Sequence, residues 1–151
     1  MATAAEAKES GGLDAVRRGL FVLVWIGVVG LSAELIFLDH TEGFWQKVPL
    51  ALLSAVAATA LLHGVRPNRA TTLAFRGALA LVVVGGVVGL AQHYLGNREF
   101  ELEMVPEMGG GELLWETLTG ATPVLAPGAL VQLGLVGWIY TLRHPALTPR
   151  D

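Results

Sequence analysis

Cysteine is absent from the 151 residues. Disulfides, thiolate nucleophiles, iron–sulfur clusters and thiol-based zinc sites are thereby excluded. Charge is scarce: Asp, Glu, Lys and Arg make up 15% of the chain, against about 25% in soluble domains. A net charge of −3 favours neither nucleic acid nor acidic ligands. The usual catalytic signatures are missing too. Gly109–Gly111 lacks the Lys and Ser/Thr that complete a phosphate-binding loop. Ser32 and Ser54 sit in apolar runs without a visible base, and no HExxH or ExxH pattern is present. The sequence therefore predicts no enzyme, no cofactor and no nucleic-acid partner.

What the chain has instead is apolar bulk, 53% hydrophobic residues at a mean hydropathy of +0.57. It is concentrated in four runs, about 19–38, 44–62, 75–95 and 123–142. A span needs about 20 residues, at ~1.5 Å per residue across ~30 Å of hydrocarbon. Four such runs in one 151-residue domain leave too little polar surface to cover a soluble core. Arg17 and Arg18 precede the first run as in a signal peptide, but its apolar stretch exceeds the usual ~7–15 residues. Phe44 and Trp45 suit the headgroup layer, as do Trp138 and Tyr140. Pro49 suits a first helical turn, Thr122 a cap on the fourth helix, and Pro127 a bend. The expected fold is all-α: an integral membrane four-helix bundle with a structured extracytoplasmic loop at 96–121.

Basic residues sort by side. Lys8, Arg17 and Arg18 in the tail (1–17 and the residue after it), Arg66, Arg69 and Arg76 in the second loop, and Arg143 and Arg150 at the end share one face of a four-span chain. Only Lys47 and Arg98 fall on the other. Positive charge stays cytoplasmic, which places both termini inside. The acids Asp39, Glu42, Glu99, Glu101, Glu103, Glu107, Glu112 and Glu116 fall outside.

Spans pack by close approach and polar contacts, because lipid is as apolar as leucine. Gly27 and Gly30, Ala51 and Ala55, Gly85 and Gly89, and Gly134 and Gly137 mark candidate faces, for packing within the chain or in a homo-oligomer. In the outer loop, "REFELEM" alternates Glu99, Glu101 and Glu103 with Phe100, Leu102 and Met104, the period of a strand. Gly109–Gly111 predicts a flexible break. "ELLWETLTG" predicts a short amphipathic helix ended by Gly120, with Glu112 and Glu116 on one face and Leu114, Trp115 and Leu118 on the other. A connection this long is expected to be structured or functional. Glu99, Glu101, Glu103 and Trp115 are its candidate docking residues.

Glu34 is the one charge inside the first run. It lies four residues below Leu38, about 6 Å into the span. A carboxylate there needs a partner. His93, at similar depth on the third run, is the leading candidate, with Gln92, Arg98 and Lys47 nearby. Glu34, Asp39, His40, Glu42 and His93 form a pool for a structural latch, a proton or cation site, or a metal, since carboxylate plus imidazole suits zinc or manganese. His40 and His93 lie outside, and His63 and His144 inside. Dihaem membrane cytochromes also carry two ligands per side, but theirs sit well within the spans.

Three stretches, "FLDHTEGFWQKVPL", "HYLGNREFELEM" and "TGATPVLAPGALVQLGLVGWIYTLRHP", resemble small uncharacterised bacterial inner-membrane proteins with four spans. The resemblance implies topology and location, not chemistry. The expectation is a multi-pass accessory or interaction protein of the bacterial inner membrane. Its acidic outer loop would engage a membrane-protein partner or a cation. The alternative is a small proton- or cation-coupled transport component using Glu34 and His93.

Overall fold

The computed structural model describes residues 4–147, with side chains from residue 11 onward. The Lys8 side chain and Arg150, used above to orient the chain, lie outside the described residues. Every regular element among those described is helical: α1 Ala4–Phe37, α2 Phe44–Val65, α3 Arg69–Met104, α4 Gly110–Thr119, α5 Gly128–Thr141, and a 3-10 turn at Pro145–Leu147. Three helices are long and apolar enough to cross a membrane: Gly11–Phe37, Phe44–Val65 and Arg69–Met104. α5 is equally apolar but has 14 residues, about 21 Å of helix.

Three local expectations are corrected. Residues 99–104 form no strand; they continue α3, a helix of 36 residues. Three alternating pairs are a weak signal without a partner strand, and Glu, Leu and Met are good helix formers that extend an existing helix at no nucleation cost. Pro49 lies inside α2 rather than in its first turn. The Gln46 carboxamide oxygen accepts from the Glu42 and Gly43 amides at 2.9 and 3.0 Å and starts the helix early. The fourth apolar run is helical only from Gly128. Residues 123–127 form successive turns, with Ala126 N–H donating to Pro123 O and Gly128 N–H to Leu125 O. Pro127 disfavours helix at the residue before it and has no amide of its own to donate. Thr122 consequently does not cap a helix.

Turn chemistry sets the remaining ends. Asn68 accepts from Thr71 N–H at 3.0 Å and caps α3. Gly109–Gly111 is the start of α4, where Gly110 has φ of +60°, a backbone that an L side chain rarely adopts. Gly120 closes α4.

The long helices touch in a ring: α1 on α2, α2 on α3, α3 on α5, and α5 on α1, with α4 against α3 alone. Val24, Leu53, Val56, Phe75, Leu79 and Val82 fill the centre, all fully buried. Outside, Ile26, Val29, Leu61, Leu62, Val84 and Val87 are exposed, an apolar belt suited to lipid rather than water. Two exposed-side hydroxyls on α2 bond back to their own helix: Ser54 donates to Leu50 O and Thr59 to Ala55 O, so neither O–H meets hydrocarbon unpaired.

Glycine permits the closest crossings. A Cβ at Gly86 would lie 2.9 Å from Pro127 O, and one at Gly134 would lie 2.9 Å from Leu79 O. Gly137 also faces Leu79, Gly89 faces Pro127, Gly85 faces Leu52, and Gly27 faces Leu133. The small-residue faces of α3 and α5 are thus spent within the chain. Gly30 meets nothing within 4 Å, and Ala51 and Ala55 are exposed, so the α1 face packs internally at Gly27 alone and the α2 alanine face does not.

Candidate functional site

The two ends of the ring are built differently. At one of them, the end of α1, the start of α2, the middle of α3 and the Pro123–Pro127 turns surround a cavity of about 500 Å³. Two local causes hold it open. α5 begins late, so one helical wall is missing there. Gly96 on α3, with nothing within 4 Å of where its Cβ would be, offers no side chain to fill the space.

Glu34, His40 and His93 all line this cavity, with Gln92, Gln46 and Trp45. Asp39 and Glu42, predicted for the same cluster, do not. They lie in the tight turn after α1, where Asp39 takes a φ of +49° and accepts from the Thr41 hydroxyl at 3.2 Å. Glu34 and His93 share the cavity, but no hydrogen bond or ion pair joins them. The only ion pair among the described residues is Arg17–Asp14. His93 instead donates from Nδ1 to Pro123 O at 2.9 Å. A carbonyl only accepts, so this bond fixes the proton on Nδ1 and leaves Nε2 a bare acceptor when the ring is neutral. Among the described residues, no group of three His, Asp or Glu side chains is placed to hold a metal ion.

Beside the cavity, α3 rises past Leu95 and α4 folds back along it. Asn97, almost fully buried, is the pin. Its Nδ2 donates to Thr117 O at 3.0 Å and Thr122 O at 2.7 Å, and its Oδ1 accepts from Thr122 N–H at 3.1 Å. The sequence offers no signal for this beyond a polar residue at a helix exit. α4 turns Thr117 towards α3 and leaves Leu114, Trp115 and Leu118 exposed, together with Phe100 and Met104 of α3. The docking candidate Trp115 lies in this exposed apolar patch. Glu99 and Glu103 are exposed and Glu101 half-buried.

The opposite end carries a polar cluster that sequence reading missed. His63 is 1% exposed and bonded at both ring nitrogens. Hydrogen positions follow by elimination. Thr72 has one hydroxyl proton, which goes to Asn68 O at 2.7 Å, so Thr72 Oγ1 accepts from His63 Nδ1 at 3.2 Å. His63 Nε2 then accepts from the Tyr140 hydroxyl at 2.8 Å. The Tyr140 oxygen accepts from His144 Nε2 at 3.4 Å, and His144 Nδ1 accepts from Ala146 N–H at 3.2 Å. The chain is satisfied when both histidines are neutral. Burial, then the charges of Arg17 and Arg76, hold His144 below the usual histidine pKa.

Phe21 and Phe75 wrap the cluster, and Phe75 stacks on His63 with centroids 5.9 Å apart. Arg76 donates to the Thr141 hydroxyl and carbonyl at 2.9 and 2.8 Å and lies 5.4 Å over the Trp138 ring. The available signal was the i, i+4 spacing of Tyr140 and His144, and the placing of His63 and Thr72 on either side of one short loop. With both its nitrogens taken by protein groups, His63 is a structural residue. Searches against protein-family models, curated proteins and solved structures found no match for the chain.

Proposed function

We propose that the chain is a four-helix bundle of the bacterial inner membrane that crosses the bilayer four times, with both termini cytoplasmic, and acts as an accessory protein engaging a partner at its outer end. The contact ring supports four crossings, since α5 packs on both α1 and α3. Its short helix is no obstacle. The turn before α5 bonds within itself, Ala126 N–H to Pro123 O and Gly128 N–H to Leu125 O, and leans on Gly86 and Gly89, so its backbone groups are partly satisfied without helix. The outer location follows from the positive-inside rule applied to Arg17, Arg18, Arg66, Arg69 and Arg76.

One observation carries the function: Glu34, His40 and Gln92 are unspent around the outer cavity, whereas His63, Tyr140 and His144 bond one another at the inner end. Glu34 has no counter-ion, and His93 Nε2 is a bare acceptor. Two acceptors in a partly apolar cavity suit a cationic donor, such as a lysine or arginine side chain of a partner protein. The exposed apolar face of α4, flanked by glutamates, extends the same surface.

The test is capture of a membrane-protein partner by the gently solubilised full chain. Glu34→Gln and Trp115→Ala should each lower recovery several-fold while the monomer stays folded. Undiminished recovery by both variants would overturn the proposal. Glu34 in an open cavity also favours a second reading, proton- or cation-coupled transport. Reconstituted protein would then carry a pH-dependent cation flux that Glu34→Gln abolishes, with partner recovery unchanged.

A further inference from the structure

A second cavity, of about 460 Å³, opens at the other end of the ring between α1 and α5. Its lining includes Arg17, Arg18, His144 and the Tyr140 hydroxyl, with Asp14 the only acid. Phe21 and Val22 continue the wall along α1. Arg17 is already held in place. It donates to Arg143 O at 2.8 Å and lies 3.5 Å from Asp14, with a side chain 22% exposed. Arg18 is exposed and has no ion-pair partner among the described residues. His144 Nε2 is committed to Tyr140, so the two guanidiniums supply the charge.

Both arginines lie at the foot of the apolar run that begins at Gly19. A guanidinium offers paired donors in a plane, matched to two phosphate oxygens. Basic pockets where membrane helices meet the cytoplasmic surface suit anionic headgroups. The apolar wall below the arginines distinguishes a lipid from a free anion, because Phe21 and Val22 run into the hydrocarbon where an acyl chain lies.

We propose that this cavity seats the phosphate headgroup of an anionic membrane lipid, held by Arg17 and Arg18, with an acyl chain along Phe21 and Val22. The proposal rests on the membrane placement of α1 and is independent of Glu34 and the outer cavity.

The experiment is native mass spectrometry of the full chain in mild detergent. It is titrated separately with phosphatidylglycerol, phosphatidylcholine and inorganic phosphate. The wild type should retain phosphatidylglycerol in preference to phosphatidylcholine. Arg18→Gln should weaken that binding about fivefold, the worth of one arginine near an anionic surface, and Arg18→Lys should restore most of it. Val22→Trp fills the cavity without touching charge and should also cut occupancy. Arg18 and Val22 are exposed, so matched far-UV helicity is expected, and it shows that the loss is not misfolding. Equal retention of the two lipids, or no effect of Arg18→Gln and Val22→Trp, would overturn the proposal. Displacement of phosphatidylglycerol by equimolar inorganic phosphate would overturn the lipid source and leave a free-phosphate site. A chain that needs no detergent would fail the membrane placement itself, a result separable from lipid selectivity.

Discussion

The His63 end and the Glu34 end of the helix ring use similar residues to opposite effect. At the first, His63, Tyr140, His144 and Thr72 bond one another in a single directed chain, with Phe21 and Phe75 packed on His63. At the second, Glu34, His40, Gln92 and His93 line a cavity, and of these four only His93 is tied down, by one nitrogen. The difference comes from where α5 stops being a helix. Tyr140 lies in its last turn and His144 in the turn beyond it, both beside His63 of α2. At its other end Pro127 unwinds the chain, and the wall that would cover Glu34 is absent. Polar residues in a membrane helix therefore carry no fixed meaning. Whether they act as structure or stay available depends on the wall opposite.

That contrast predicts an ordered series of effects. The largest is at the His63 end. His63→Ala should cost on the order of 2–3 kcal/mol in detergent unfolding, through a new cavity and a stranded Tyr140 hydroxyl. Overpacking a crossing ranks close behind: Gly134→Leu should cost about 1–3 kcal/mol, read as a lowered unfolding midpoint. Asn97→Ala, beside the Glu34 cavity, should strand the buried Thr117 carbonyl at about 1–3 kcal/mol. Its effect should be local, with faster hydrogen exchange at 110–122 and unchanged exchange at 50–60. Glu34→Gln should be smallest, within about 0.5 kcal/mol, since Glu34 has no partner to lose. A large cost there would mean that the Glu34 end is as tightly bonded as the His63 end.

Acid sharpens the same contrast. His144 has a folded-state pKa below its unfolded value, so the unfolded chain binds its proton first. Its contribution to stability is full above pH ~6.5, the ordinary histidine value, and is lost as pH falls from there towards the folded-state pKa. Protonation would also place a proton on Nδ1, where Ala146 N–H now donates. Stability measured from pH 7.5 to 5 should decline in the wild type and decline less in His144→Gln.

Much of this architecture is legible in the sequence. The four apolar runs show through hydropathy, α4 through its 3.6-residue spacing, and the α3 and α5 glycines through their repeats. Other parts are not. The Glu99–Met104 alternation has the period of a strand, and only its attachment to a long helix decides the matter. The cavity is hidden because it depends on α5 starting at Gly128 rather than Pro123. Depth alone pairs Glu34 with His93, and depth says nothing of which way a ring turns; His93 turns to the Pro123 carbonyl. The His63 cluster joins α2 to α5 across 77 positions of sequence, which no local pattern encodes.

The absence of cysteine allows the central claim to be tested directly. Single cysteines placed as Pro67→Cys, Trp115→Cys and Ala146→Cys can be probed in intact cells with a membrane-impermeant thiol reagent. Four crossings predict labelling at 115 alone, with 67 and 146 reacting only after the membrane is permeabilised. Labelling of 146 in intact cells would contradict the fourth crossing, and labelling of 67 would invert the orientation on which the outer site depends.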